Sequence, residues 1–239
     1  IKLPDVSDES DMYEKIFDVF KKNNINKFVY IGGNDSMDTV DKLSNYAEKN
    51  GIDISVVGAP KTIDNDLAGT DHTPGFGSAA RFVASSVKEV ARDSGVYAEK
   101  SITIIEIMGR NAGWLTAAAA LPRITAGYAP DLVYLPERAF DLDFFLEDVK
   151  ALMEKKPNIV VAVSEGIRFA DGRYVGEGTQ SGAVDIFGHA YLSGVGKYLE
   201  RLVKNEIGCK VRSIELNLMQ RCSSHLASLC DIEESFEVG

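Results

Sequence analysis

Cysteine and histidine are scarce in this chain of 239 residues, which holds three of each. Cys209, Cys222 and Cys230 lie toward one end, whereas His72, His189 and His225 are scattered. There is no CxxC pair and no HExxH, which excludes a local zinc motif and a dithiol exchange site; a zinc site would need ligands drawn from distant segments. An odd, scattered set of thiols fits a reducing cytoplasm. Long apolar runs are also missing. Those around Ile102 to Ile105 and Thr116 to Leu121 fall far short of the roughly 18 residues that a membrane helix needs. Positive charge is the third deficit: 26 Lys and Arg stand against 36 Asp and Glu, a formal net charge of −10. That balance opposes non-specific attraction to nucleic acid or anionic lipid. The first residue is Ile1, and no signal-peptide pattern follows it, so a processed or excised chain is expected.

What is present describes a folded globular protein: 45% hydrophobic residues, 26% charged residues and a mean hydropathy of −0.08. The length suits one large domain or two small ones. Apolar β-branched runs predict strands at Phe28–Ile31, Ile52–Val57, Ile102–Ile107, Asp131–Leu135, Ile159–Val163 and Val211–Leu216. Between them, steps of three and four predict helices over Ser36–Asn50 and from Phe76 to near Gly95, and further helices carrying Leu142, Phe145, Leu146, Val149 and Leu152, or Leu192, Val195, Leu199 and Leu202. Strands alternating with amphipathic helices indicate βαβ crossovers. The expected fold is therefore α/β, a mainly parallel doubly wound sheet with helices on both faces, and ligands bind beyond the carboxyl ends of such strands.

Polar chemistry collects at those carboxyl ends. Gly32-Gly33-Asn34-Asp35-Ser36 leads into a helix whose free N–H groups let a phosphate approach, although on this motif alone an ordinary βα turn with Asp35 or Ser36 as N-cap is the better account. Lys61, Asp64 and Asp66 bring one cation and two carboxylates into a single loop. Phosphoryl transfer to a hydroxyl needs these groups: a proton acceptor, oxygen ligands for magnesium, and cations for the phosphoryl oxygens. Arg110, Arg212 and Arg221 add planar forks suited to phosphate in an otherwise acidic protein. Gly75-Phe76-Gly77-Ser78-Ala79-Ala80 matches GxGxxA, but no strand feeds it, so helix-start glycines explain it better than dinucleotide binding. The histidines read as surface or capping residues and Trp114 as a packing residue.

The loop Pro60–Asp66, PKTIDND, together with GGNDS upstream and MGRNAGW downstream, resembles the phosphofructokinase family. The likeness runs through Ser164-Glu165-Gly166 and Arg212 to Gln220-Arg221. It implies a phosphofructokinase-like fold, incomplete at both ends, with a donor-side subdomain over residues 1–130 and a sugar-phosphate side over 131–239. It also implies phosphoryl transfer to the 1-hydroxyl of fructose 6-phosphate with Asp64 as proton acceptor, aided by Lys61 and Asp35. Thr62, Ile63, Asp64, Met108, Gly109, Arg110, Glu165, Arg212 and Arg221 correspond to sugar-phosphate contacts, and Gly32, Gly33, Asp35, Ser36 and Lys61 to the donor site. Asp66 and Asn34 correspond to the Mg²⁺ side, Asn34 standing where the family usually has an acid.

ATP-using members typically show GGDGS and PGTIDND. Asp35 and Lys61 replace those glycines here, filling the space of an α-phosphate, whereas Lys61 still suits a compact pyrophosphate. Pyrophosphate is thus the expected donor. An ATP-dependent enzyme and a non-catalytic regulatory subunit of the same fold are the alternatives. The resemblance further implies a homo-oligomer, and an isolated 239-residue chain of negligible activity because the first glycine-rich phosphate loop is not in it.

Overall fold

The computed structural model describes residues 3–6, 11–127, 129–176 and 194–238. The chain begins with α1 (Met12–Lys22), β1 (Lys27–Gly32), α2 (Asn34–Lys49) and β2 (Ser55–Pro60). It continues through α3 (Phe76–Ser94), β3 (Ser101–Ile107), α4 (Trp114–Ala118), α5 (Leu121–Ala126), β4 (Leu132–Tyr134), α6 (Leu142–Met153) and β5 (Asn158–Ser164). It ends with α7 (Val195–Ile207), β6 (Lys210–Glu215), α8 (Met219–Cys222) and α9 (Leu229–Val238). All six expected strands form. The second starts three residues later than the sequence suggests, because Ile52 and Ile54 belong to the turn that leads out of α2. Leu192 and His189 lie outside the described residues.

The expected parallel strands and flanking helices are present, but they are shared between two sheets. β4-β5-β3-β6 form a four-stranded sheet; among the described residues β1 pairs only with β2, and every strand pairing is parallel. Sheet membership changes between β2 and β3: Ser101–Ile107 bonds to β5 and β6, which follow it in the chain.

The four-stranded sheet is buried on both faces because β3 and β5 are almost continuously apolar. Ile102, Ile104, Ile159, Val161 and Val163 pack with Phe145 and Val149 of α6 and Leu199 and Val203 of α7. Ile105, Ile107, Val160 and Ala162 face the other way, against Ala79, Val83 and Val87 of α3 and Leu115 of α4. Trp114, expected to pack, starts α4 but is 56% exposed, and Leu115 is the buried residue. Asp141 caps α6 by accepting the N–H groups of Asp143 (2.9 Å) and Phe144 (3.1 Å).

Among the described residues the two-stranded sheet is covered on one face only. Tyr13 and Phe17 of α1 and Leu43 and Ala47 of α2 pack over Phe28 and Val56, and Tyr13 stacks on Tyr46 with ring centroids 4.8 Å apart. The apolar spacing Tyr13, Ile16, Phe17, Phe20 was the available sign of α1, which was not among the expected elements. No helix among the described residues is long and apolar enough to cross a membrane.

Candidate active site

The carboxyl ends of β1 and β2 lie side by side, since Gly32 pairs with Pro60 and the Lys61 N–H donates to Gly32 O at 2.9 Å. This brings the start of α2 next to the loop after β2. Inside that loop, Thr73 Oγ1 donates to Thr62 O (2.7 Å) and the Thr73 N–H donates to Asn65 Oδ1 (2.9 Å), while Asn65 adopts a left-handed φ of 54°. The loop therefore folds back on itself and holds Asp64 and Asp66 toward β3.

From the other sheet, β3 and β5 deliver Met108 to Arg110 and Ser164 to Gly166. Ser164 Oγ donates to Gly109 O (2.6 Å), the Gly109 N–H donates to Glu165 Oε1 (3.2 Å), and the Met108 N–H donates to Gln220 Oε1 (3.1 Å). Gly109 has φ +133°, and a Cβ there would meet Ala112 O at 2.5 Å, so a side chain is excluded. Gly166 is equally constrained, because its Cβ would lie 2.1 Å from Arg110 O.

Between these edges lies a cavity of about 540 Å³, lined by Asn34, Asp35, Thr62, Asp64, Asp66, Met108, Arg110, Asn111, Glu165 and Tyr174. Eight of these come from positions singled out in the sequence. Asn111 and Tyr174 do not: Asn111 stood in a quoted motif without a role, and nothing near Tyr174 signals a site. Arg168 joins the two, donating to Asn111 Oδ1 at 2.7 Å and to the Tyr174 hydroxyl at 2.5 Å.

The remaining sequence candidates lie around or away from this cavity. Ile63 packs against the core beneath the loop. Gly32 is covered by Ser36, whose Oγ would lie 2.0 Å from a Cβ, whereas a Cβ on Gly33 would come no nearer than 3.6 Å to other atoms. Lys61 and Arg221 are exposed, yet both positive charges act on Asp64. Arg212 is exposed in the middle of β6, opposite Thr103. That register sets it four residues, about 13 Å, back from the end of β3. It borders a separate hollow with Glu89, Asp93 and Thr103 instead. The fork that the sequence assigned to this site is thus not brought to it within the chain, because strand register rather than sequence order sets its depth.

The electrostatics are those of crowded carboxylates. Burial raises the Asp64 carboxyl above its ordinary range, the Asp66 charge adds to this, and Arg110, Arg221 and Lys61 oppose it. Glu165 is pushed up to about 7, first by burial and then by Asp64 and Glu106, against the Gly109 N–H and Arg110. Asp66 Oδ2 accepts from Asn34 Nδ2 at 3.0 Å. Among the described residues its other oxygen, Oδ1, is buried and meets no hydrogen-bond donor. An orphaned carboxylate oxygen is costly without a cation or donor, so the residues fit a hard divalent cation.

A protein-family profile described as phosphofructokinase matches residues 3–228. The chain belongs to the phosphofructokinase family. Over its whole length it is 45% identical to the pyrophosphate–fructose 6-phosphate 1-phosphotransferase of Xanthomonas campestris, covering 57% of that protein. It is 35% identical to the sulfofructose kinase of Alkalicoccus urumqiensis, over 90% of this chain and 55% of that protein. The solved pyrophosphate-dependent phosphofructokinase of Nitrosospira multiformis superposes with a TM-score of 0.80 at 33% identity, over 94% of this chain and 53% of that one. The chain therefore spans about half the length of the relatives it matches.

Proposed function

We propose that the intact protein transfers a phosphoryl group from pyrophosphate to the 1-hydroxyl of fructose 6-phosphate, giving fructose 1,6-bisphosphate reversibly. The observation that carries this reading is Asp64: a carboxylate of raised proton affinity that lines one cavity with Arg110 and with Asp66, one oxygen of which is orphaned among the described residues. A base whose pKa moves toward the working pH accepts a hydroxyl proton more effectively. Asp64 takes that proton while Arg110 and Lys61 offset charge on the phosphoryl oxygens. Asp66, with Asn34 beside it, would hold a divalent cation, read here as Mg²⁺, which would supply charge neutralisation at the donor phosphates.

Glu165, hydrogen-bonded to the Gly109 N–H, accepts a sugar hydroxyl, and Met108, Gly109, Arg110 and Thr62 line the acceptor side. The donor side is formed by Asp35 and Gly33, with Gly32, Ser36 and Lys61 around them. Asp35 in the cavity adds a negative charge where a nucleotide's extra phosphate would lie, which favours a compact inorganic donor over ATP. Arg212, facing away from the cavity of its own chain, suits a 6-phosphate clamp offered to a neighbouring copy, which supports a homo-oligomer. The paucity of cysteine supports a cytoplasmic location.

The test is a coupled assay of the intact protein for fructose 1,6-bisphosphate, with magnesium and either pyrophosphate or ATP. Turnover with pyrophosphate alone is expected; turnover with ATP and none with pyrophosphate reverses the donor assignment.

A further inference from the structure

The sequence holds no local zinc motif, but the fold assembles a candidate metal site from residues about 160 positions apart in sequence. His72 sits at the end of the loop that carries Asp64, and Cys230 and Glu234 stand four residues apart on α9, hence on one helix face. His72 Nδ1 contacts Glu234 Oε2, and Cys230 Sγ donates to Glu234 Oε1 at 3.4 Å. One ligand atom from each residue lies within 4.8 Å of those of the other two.

We propose that His72, Cys230 and Glu234 form a binding site for one zinc-like divalent cation, separate from the phosphoryl-transfer cavity. Imidazole nitrogen, thiolate sulfur and carboxylate oxygen together match a borderline-soft cation and disfavour magnesium, which takes oxygen. Three protein ligands leave a fourth tetrahedral position to water. The thiol proton and any proton on Nδ1 pass to solvent as metal enters. The other ring nitrogen, Nε2, lies 3.8 Å from Asp231 Oδ1, too far for a hydrogen bond but near enough for the negative charge to favour a metal-bound imidazole.

The two segments are held together whether or not metal is bound. Buried Asp231 accepts the Gly75 N–H at 2.9 Å and the Ser78 N–H at 2.5 Å, fixing α9 against the start of α3. The ligands then need only side-chain adjustment, which lowers the cost of binding. A cation here would tie the Asp64 loop to α9.

The experiment is titration of the intact protein with Co²⁺, read as thiolate-to-cobalt absorption in the near ultraviolet and as displacement by Zn²⁺. The expected result is a band that saturates at one cobalt per chain. Cys230→Ser abolishes it, and His72→Gln weakens binding more than the roughly 10- to 100-fold typical of removing an outer-shell partner. Asp66→Asn leaves the band in place, because that carboxylate belongs to the other site. Cys230 is exposed, so its serine variant should fold, checked by its urea midpoint without metal, and zinc should raise Tm in the wild type only. Absence of the band, its persistence in Cys230→Ser, or its loss in Asp66→Asn overturns the proposal.

Discussion

The two sheets differ in how they are covered and in what they contribute. The four-stranded sheet is sealed by helices on both faces, with Ile104, Val161 and Phe145 fully buried. The two-stranded sheet has α1 and α2 on one side, while on the other Val29, Ile31 and Val57 are 60%, 65% and 53% exposed. Parallel sheets are ordinarily covered on both faces, and a lone strand pair is marginal. The less supported sheet nevertheless supplies Asn34, Asp35, Asp64 and Asp66, and the sealed sheet supplies Arg110 and Glu165. The groups proposed above as proton acceptor and metal holder thus stand on the lighter unit, the proposed sugar contacts Arg110 and Glu165 on the sealed one, and the cavity lies between them.

The sharpest test of that division is Asp64→Asn, expected to lower kcat of the intact protein by roughly 10²- to 10⁴-fold in the fructose 1,6-bisphosphate assay. An unchanged kcat removes the base from the lighter sheet. Next, Phe145→Ala in the sealed core should cost about 3–5 kcal/mol in urea unfolding, through lost burial and the cavity left behind. A loss below about 1 kcal/mol contradicts the close packing of that face.

A smaller effect comes from Glu106, buried in β3 and accepting the Gly196 N–H at 2.7 Å. Burial pushes its carboxyl up from 4.5 to about 7. A raised carboxyl pKa stabilises the fold below the unfolded value, and that contribution is lost as pH rises through about 7. Glu106→Gln should therefore gain on the wild type by about 1–3 kcal/mol between pH 4.5 and 8. A difference that stays flat with pH rules out the buried acid. Least of all, Ile31→Ser on the open face should change stability by no more than about 0.5 kcal/mol. A loss comparable to that of Phe145→Ala would mean that this face is covered in the intact protein, and the contrast between the sheets would disappear.

Much of the site was legible because its parts are local. A strand, a turn and a short polar loop occupy adjacent positions, so PKTIDND and MGRN announce carboxylates and a guanidinium at a sheet rim before any packing is known. Tyr174 carried no such signal; it reaches the cavity through Arg168, whose own placement depends on β5. Arg212 looked as eligible as Arg110, and only the register of β6 against β3 separates them. Asp231 gave no hint that it would cap α3 from a helix about 150 residues away.

The amino-acid order alone determined the alternation of strand and helix and the chemistry of each connecting loop, since hydrophobic period and turn composition act over a few neighbours. Tertiary structure decided how the strands divide between two sheets, which arginine faces the cavity, and that His72 meets Cys230 and Glu234. Those outcomes rest on contacts between residues far apart in the chain, where the free energy comes from packing and buried hydrogen bonds that no local pattern encodes.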